Sequence, residues 1–268
     1  MDDRSPASAT SLVKALRVLL ALEETPEGRG VTEVARVLDL PKRAVHRILV
    51  TFQAYGFVRQ EPQGRRYELG VALARLGLRA ADRLAPRVVA RPHLETLSQT
   101  TGETVFLGIP DAAGVLIVDK VEQGQVLRVA PTLGAVIPLL QTALGKLFLA
   151  FCDSDTRARL LGTSLAPEAE AWTQLLLRRE LDAIERQGYA VSVEEWMPYI
   201  CCVAAPIRNG AGTVVAALAV ALPRSRMPQP QRHDPFAGGG PAVAYPALAS
   251  PVIEAAERIS AALGPVKI

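Results

Sequence analysis

Between residues 11 and 22 the apolar positions Leu12, Ala15, Leu16, Leu19 and Leu22 recur every three or four residues, which puts them on one face of a helix that Ser11 can cap. Pro26, Gly28 and Gly30 interrupt the pattern. Thr32 then reads as the N-cap of a short second helix burying Val34, Ala35 and Leu38. Pro41 suits the first position of a third helix, whose stripe Val45, Ile48, Leu49 and Phe52 leaves Lys42, Arg43, His46 and Arg47 on the opposite face. Gly56 ends it. Two extended stretches between Phe57 and Leu69 turn at Glu61-Pro62-Gln63-Gly64, and Arg65 and Arg66 lie just past the tip. Helices followed by such a hairpin are the order of a winged helix-turn-helix, predicted for residues 1–70.

Residues 71–85 are rich in alanine, leucine and arginine and predict a linker helix and candidate dimer contact, with Pro86 as its stop. In residues 86–268 the pattern predicts a helix over Arg87–Thr100 and strands over Thr104–Ile109, Val115–Val121 and Val126–Ala130. Helices over Thr142–Phe151 and Leu175–Gln187 follow, then strands over Tyr189–Val193, Ile200–Ile207 and Thr213–Leu222, and a closing helix over Leu248–Leu263. Strands and helices come in groups rather than strict alternation, which favours an α+β domain with an antiparallel sheet. The Pro- and Gly-rich stretch 227–250 has no period and reads as an irregular insertion.

Composition narrows the function classes. The longest apolar run, Val214–Leu222, is under half the roughly 20 residues of a membrane span. No charged-then-apolar signal segment opens the chain, so a cytoplasmic protein is expected, without membrane contact. Cys152, Cys201 and Cys202 form no disulfide framework, and with His46, His93 and His233 they offer no metal-ligand spacing, so no metal or cofactor is expected.

The net charge of +3 hides an asymmetry. From Arg29 to Arg66 there are eight basic and three acidic residues, whereas from Pro86 onward the charges nearly cancel. A helix bearing guanidinium and imidazole donors fits the major groove, and a basic hairpin tip fits the backbone. On this reading Arg43, His46 and Arg47 face base edges of a double-stranded DNA operator, while Lys42, Arg65 and Arg66 meet phosphates. Thr32, at the start of the second helix, completes the DNA-contact set. A single winged helix makes few contacts, so a homodimer or homotetramer on a pseudopalindromic site is expected. The alternative is a ligand-binding module that contacts protein or RNA.

Residues Leu38 to Gly70, through Pro41-Lys42, Val45-His46-Arg47 and Tyr67-Glu68-Leu69-Gly70, resemble the DNA-binding domain of the IclR family of bacterial transcriptional regulators. Small hydroxyl residues are common in that family where this chain has Arg43 and Ala44. The resemblance continues through Thr101-Gly102-Glu103-Thr104-Val105, Thr142-Ala143-Leu144-Gly145-Lys146, Gly188-Tyr189-Ala190-Val191, Glu194-Glu195 and Cys202-Val203-Ala204-Ala205-Pro206-Ile207. It implies a GAF-like effector-binding domain whose pocket takes a small organic acid or aromatic compound. Its wall would comprise the amides of Ala143, Leu144 and Gly145, facing Ser192, Cys202, Ala219 and Ala221.

Relatives that bind small polar acids tend to carry an acidic residue at the first of the last four positions and hydroxyls at the last two. Ser192, Ala219 and Ala221 would leave such an acid's polar groups unpaired, at roughly 1–3 kcal/mol apiece, so a weakly polar or aromatic acid is expected. Tyr199 stands where the family usually has glycine, and reads either as narrowing the pocket or as a surface tyrosine. Cys202 as a nucleophile would need a base, and the pattern brings neither His93 nor His233 beside it, so no catalytic residue and no enzyme activity are expected.

Overall fold

The computed structural model describes residues 11–23, 25, 27–61, 64–123, 131–164, 171–228, 231–232 and 243–264. The chain divides into two compact units, the first ending at Arg83 and the second beginning at Leu84.

In the first unit α1 (Ser11–Glu23), α2 (Val31–Leu38) and α3 (Lys42–Ala54) pack through Val18, Leu22, Val34, Val45 and Leu49. The α2–α3 turn is made by Asp39 in the left-handed region (φ 51°), followed by Leu40 and then Pro41 at the N-cap of α3. Two sequence expectations are corrected here. Gly30 caps α2 and Thr32 lies inside it, because the extended backbone needed at the cap falls two residues earlier, at the end of the preceding strand; likewise Pro41 precedes α3 rather than opening it. The strand β1 (Arg29–Gly30) was too short to show a period. It pairs with β3 (Arg66–Leu69), which also pairs with β2 (Val58–Gln60) to form the wing sheet. Within the expected tip, Pro62 and Gln63 fall outside the described residues; the Glu61 amide donates to the Arg66 carbonyl and closes the hairpin. The expected linker, α4 (Val71–Ala81), belongs to this unit: Ala72 is buried and its amide donates to the Gly56 carbonyl.

The second unit is built on a six-stranded antiparallel sheet. Its members are β4 (Thr104–Asp111), β5 (Gly114–Val121), β6 (Val136–Ile137), β7 (Ala190–Val193), β8 (Ile200–Arg208) and β9 (Val214–Pro223), in the order β6-β5-β4-β9-β8-β7. α5 (Ala85–Thr101) and α9 (Pro246–Leu263) cover one face, while α6 (Ala143–Phe151) and α8 (Ala171–Gln187) cover the other. α7 (Ser154–Ser164), which the apolar pattern did not reveal, connects the latter two. The strand expected over Val126–Ala130 lies outside the described residues. The 227–250 insertion is only partly irregular: the described residues include the paired strands β10 (Gln231–Arg232) and β11 (Val243–Ala244), and α9 starts at Pro246, where a proline suits the first turn. Among the described residues no helix is long and apolar enough to cross a membrane, and no cluster of His, Cys, Asp or Glu could hold a metal.

Candidate functional site

The two faces of α3 differ as its stripe requires. Val45 and Leu49 are fully buried, and Lys42, Arg43, His46 and Arg47 are exposed with no carboxylate partner among the described residues. Four neighbouring donors on one helix face, free of internal ion pairs, are available to acceptors on bases or phosphates. The wing is less free. Arg65 is exposed, whereas Arg66 donates through Nη1 to the Gly28 carbonyl at 2.7 Å and lies 4.0 Å from Glu33. Arg59 is paired with Glu68 at 2.6 Å. Thr32, Arg65 and Arg66 share an open groove with Gly30, Glu33 and Arg36. Arg36, one of the eight basic residues between Arg29 and Arg66, joins this groove from α2, three residues after Glu33.

In the second unit, the positions singled out on β7, β8 and β9 form one cross-strand row. Ser192 pairs with Cys202, and Cys202 with Ala221. These three, with Leu144 from the first turn of α6, line an apolar cavity. Phe106, Pro131, Ile137 and Ile200 also line it, as do Trp196 and Met197, which are partly exposed. The space open to the centre of a water-sized sphere is about 40 Å³. None of the lining residues carries a charge.

Four expected pocket residues, Ala143, Gly145, Tyr199 and Ala219, lie outside the cavity lining. Ala219 lies on the same face but one row further, paired with Phe106 and Ala204, where it supports α6 instead of lining the cavity. Tyr199 is 75% exposed and outside the lining; it sits at φ 65°, which explains glycine as the usual occupant. Gly145 does not offer its amide to the pocket, because the Thr142 hydroxyl accepts from it at 3.1 Å while donating to the Pro138 carbonyl at 2.6 Å. A Cβ at 145 would overlap the Leu139 backbone, so this glycine lets α6 start against that segment. Ala143 and Leu144, both buried, keep first-turn amides without a partner among the described residues. Thr142, as a cap, had its signal in the sequence; Trp196 and Met197, apolar residues inside a turn, had one too.

Burial is the chief cause that pushes the Cys202 thiol up to about 12, with Cys201 adding and Lys146 opposing. It remains a neutral thiol near pH 7, unsuited to nucleophilic attack. Lys146, on α6, is fully buried, and its Nζ meets Glu180 of α8 at 2.6 Å and both carboxylate oxygens of Glu195 at 2.8 Å.

Comparison with known proteins gives these features a context. Residues 11–62 match the IclR helix-turn-helix domain, and residues 79–237 match the C-terminal domain described as bacterial transcriptional regulator IclR C-terminal. The HTH-type transcriptional regulator KdgR of Escherichia coli is 31% identical over 236 residues, covering 87% of this chain and 89% of KdgR. The crystal structure of an IclR transcriptional regulator from Alicyclobacillus acidocaldarius superimposes with a TM-score of 0.77 at 29% identity, over 95% of this chain and 98% of that one. An IclR homolog from Microbacterium hydrocarbonoxydans, crystallised with 4-hydroxybenzoate, shares the fold at a TM-score of 0.74 and 23% identity, over 95% and 99% of the two chains. The matched domains span most of the chain in the family's own order, with the exposed basic helix in the first and the sheet pocket in the second: the protein belongs to the IclR family of DNA-binding bacterial transcriptional regulators, which are not enzymes.

Proposed function

We propose that this regulator binds a two-fold operator as a homodimer or homotetramer and that a small, weakly polar or aromatic organic acid controls that binding. The observation that carries the effector reading is the row Ser192-Cys202-Ala221, which lines one apolar cavity together with Leu144 from the first turn of α6. A helix N-terminus favours a carboxylate, and the rest of the wall is apolar apart from the Ser192 and Cys202 donors and the committed Thr142 hydroxyl. The apolar chemistry of such a wall suits a ring, whereas a compact polar acid leaves its other oxygens unpaired. Thermal melting with 4-hydroxybenzoate or benzoate should therefore show a larger upward shift than with glyoxylate or pyruvate; the reverse ranking defeats the reading.

For DNA, Arg43, His46 and Arg47 reach base edges, and Lys42, Arg65 and Arg66 meet phosphates, with Thr32 beside them. Arg47→Ala should cost about 1–3 kcal/mol of operator binding and relax sequence preference, read by a salt-controlled duplex shift assay. Unchanged binding removes that residue from the interface. Self-association is supported by Leu12, Leu16 and Leu20, which form an exposed apolar row along α1, and by the exposed Val71 and Leu78 of α4. Leu16→Lys with Leu20→Lys should shift sedimentation toward the monomer, and an unaltered profile argues against this face as the contact.

A further inference from the structure

The pocket as it stands is small. The space open to sphere centres is about 40 Å³, well below the roughly 150 Å³ of a cavity that admits benzene. Most of its walls cannot yield. Phe106, Leu144, Cys202 and Ala221 are buried in the core between the sheet and α6, while Trp196 and Met197 line the cavity yet remain 40% and 43% exposed.

Both belong to the hairpin that joins β7 to β8. Its two ends, Glu194 and Tyr199, hold left-handed backbone at φ 58° and 65°. The hairpin is closed internally by the Glu194 amide on the Ile200 carbonyl at 2.8 Å and by the Tyr199 amide on Glu194 Oε1 at 3.0 Å. At its base the Arg224 amide donates to the Tyr199 carbonyl. Between these ends Glu195 reaches back to the buried Lys146.

We infer that the Glu194–Tyr199 hairpin is a flap that sets which ligands enter the pocket, and that Lys146 is the positioning residue holding it down through Glu195. The two carboxylates on Lys146 divide the work. Glu195 rides on the flap; Glu180 belongs to α8, which is part of the frame. When the flap lifts, Glu180 still compensates the ammonium, so opening does not strand a bare charge in the interior. Trp196 and Met197 then close over a planar apolar ligand, which gives the wall its preference. For its ligand the inference rests on the effector reading above; for its mechanics it does not.

The test therefore uses no ligand. Trp172→Phe leaves Trp196 as the single indole of the full-length chain. Acrylamide quenching of its fluorescence reports how often the flap is lifted. Glu195→Gln in that background should raise the quenching constant about two-fold, and Glu180→Gln, which makes the same charge change at the same lysine, should not raise it. Both glutamates are partly exposed, so neither substitution opens a cavity. An unchanged constant in Glu195→Gln overturns the latch, and so does an equal rise in both variants. If no aromatic acid binds but Glu195→Gln alone frees Trp196, the effector reading fails and the flap stands.

Discussion

Strands β8 and β9 present two unlike faces. On one, Val203, Ile207, Leu218, Val220 and Leu222 stand beside Leu107 of β4 and are sealed beneath α5 and α9. On the other, alternating with them along the same strands, come Cys202, Ala204, Ala217, Ala219 and Ala221, beneath α6 and α8. The backbone is shared, so the difference is one of side-chain volume. Branched aliphatics, with Cys201, Ala205 and Ala216 among them, fill the first interface. Alanines let α6 approach the second, and near its first turn they leave space unfilled.

Leu218→Ala should have the largest effect, about 2–5 kcal/mol of stability, seen as a lower urea midpoint at unchanged slope. A loss below about 1 kcal/mol would mean that the sealed face is no better packed than its counterpart. Ala219→Leu forces an isopropyl group between β9 and α6 and should cost about 1–3 kcal/mol. Ala221→Val adds methyl groups one row away, where the cavity can receive them; its stability change should stay under about 1 kcal/mol while the 4-hydroxybenzoate melting shift disappears. Equal destabilisation by the last two variants would erase the distinction between support and pocket.

A further effect is confined to alkaline pH. The folded-state pKa of Cys202 lies above its ordinary value of 9.0, so its contribution is complete below pH 9. As pH rises from there toward about 12 the unfolded chain releases the proton while the folded chain keeps it, and stability falls. Cys202→Ala should soften that decline in pH-dependent denaturation; an unaltered decline would place its cause elsewhere.

What could be read beforehand follows the length of each signal. The α3 stripe and the long strands β4, β5, β8 and β9 carry enough residues for a period to emerge, and Ser192, Cys202, Ala221 and Leu144 were placed in the pocket through the family resemblance. β1, β6, β10 and β11, two residues each, have no period to read. The hydrogen bond from Arg66 to Gly28 spans 38 positions, and the Lys146 contacts span 34 and 49. Such partners follow from tertiary packing. Ala219 failed for a subtler reason: alternation gave the correct face, but the row along the strand depends on register with β4 and β8.

The Arg66 contact has a consequence for the energetics of docking. A wing tied to Gly28 before it meets DNA has little freedom left to surrender on contact, so less of the gross attraction is consumed by ordering. Arg66→Lys keeps the positive charge but loses the rigid fork that makes this tie. Operator affinity should then fall while the slope of log affinity against log salt stays that of the parent, because the number of displaced counterions is the same and only the looseness of the wing has changed.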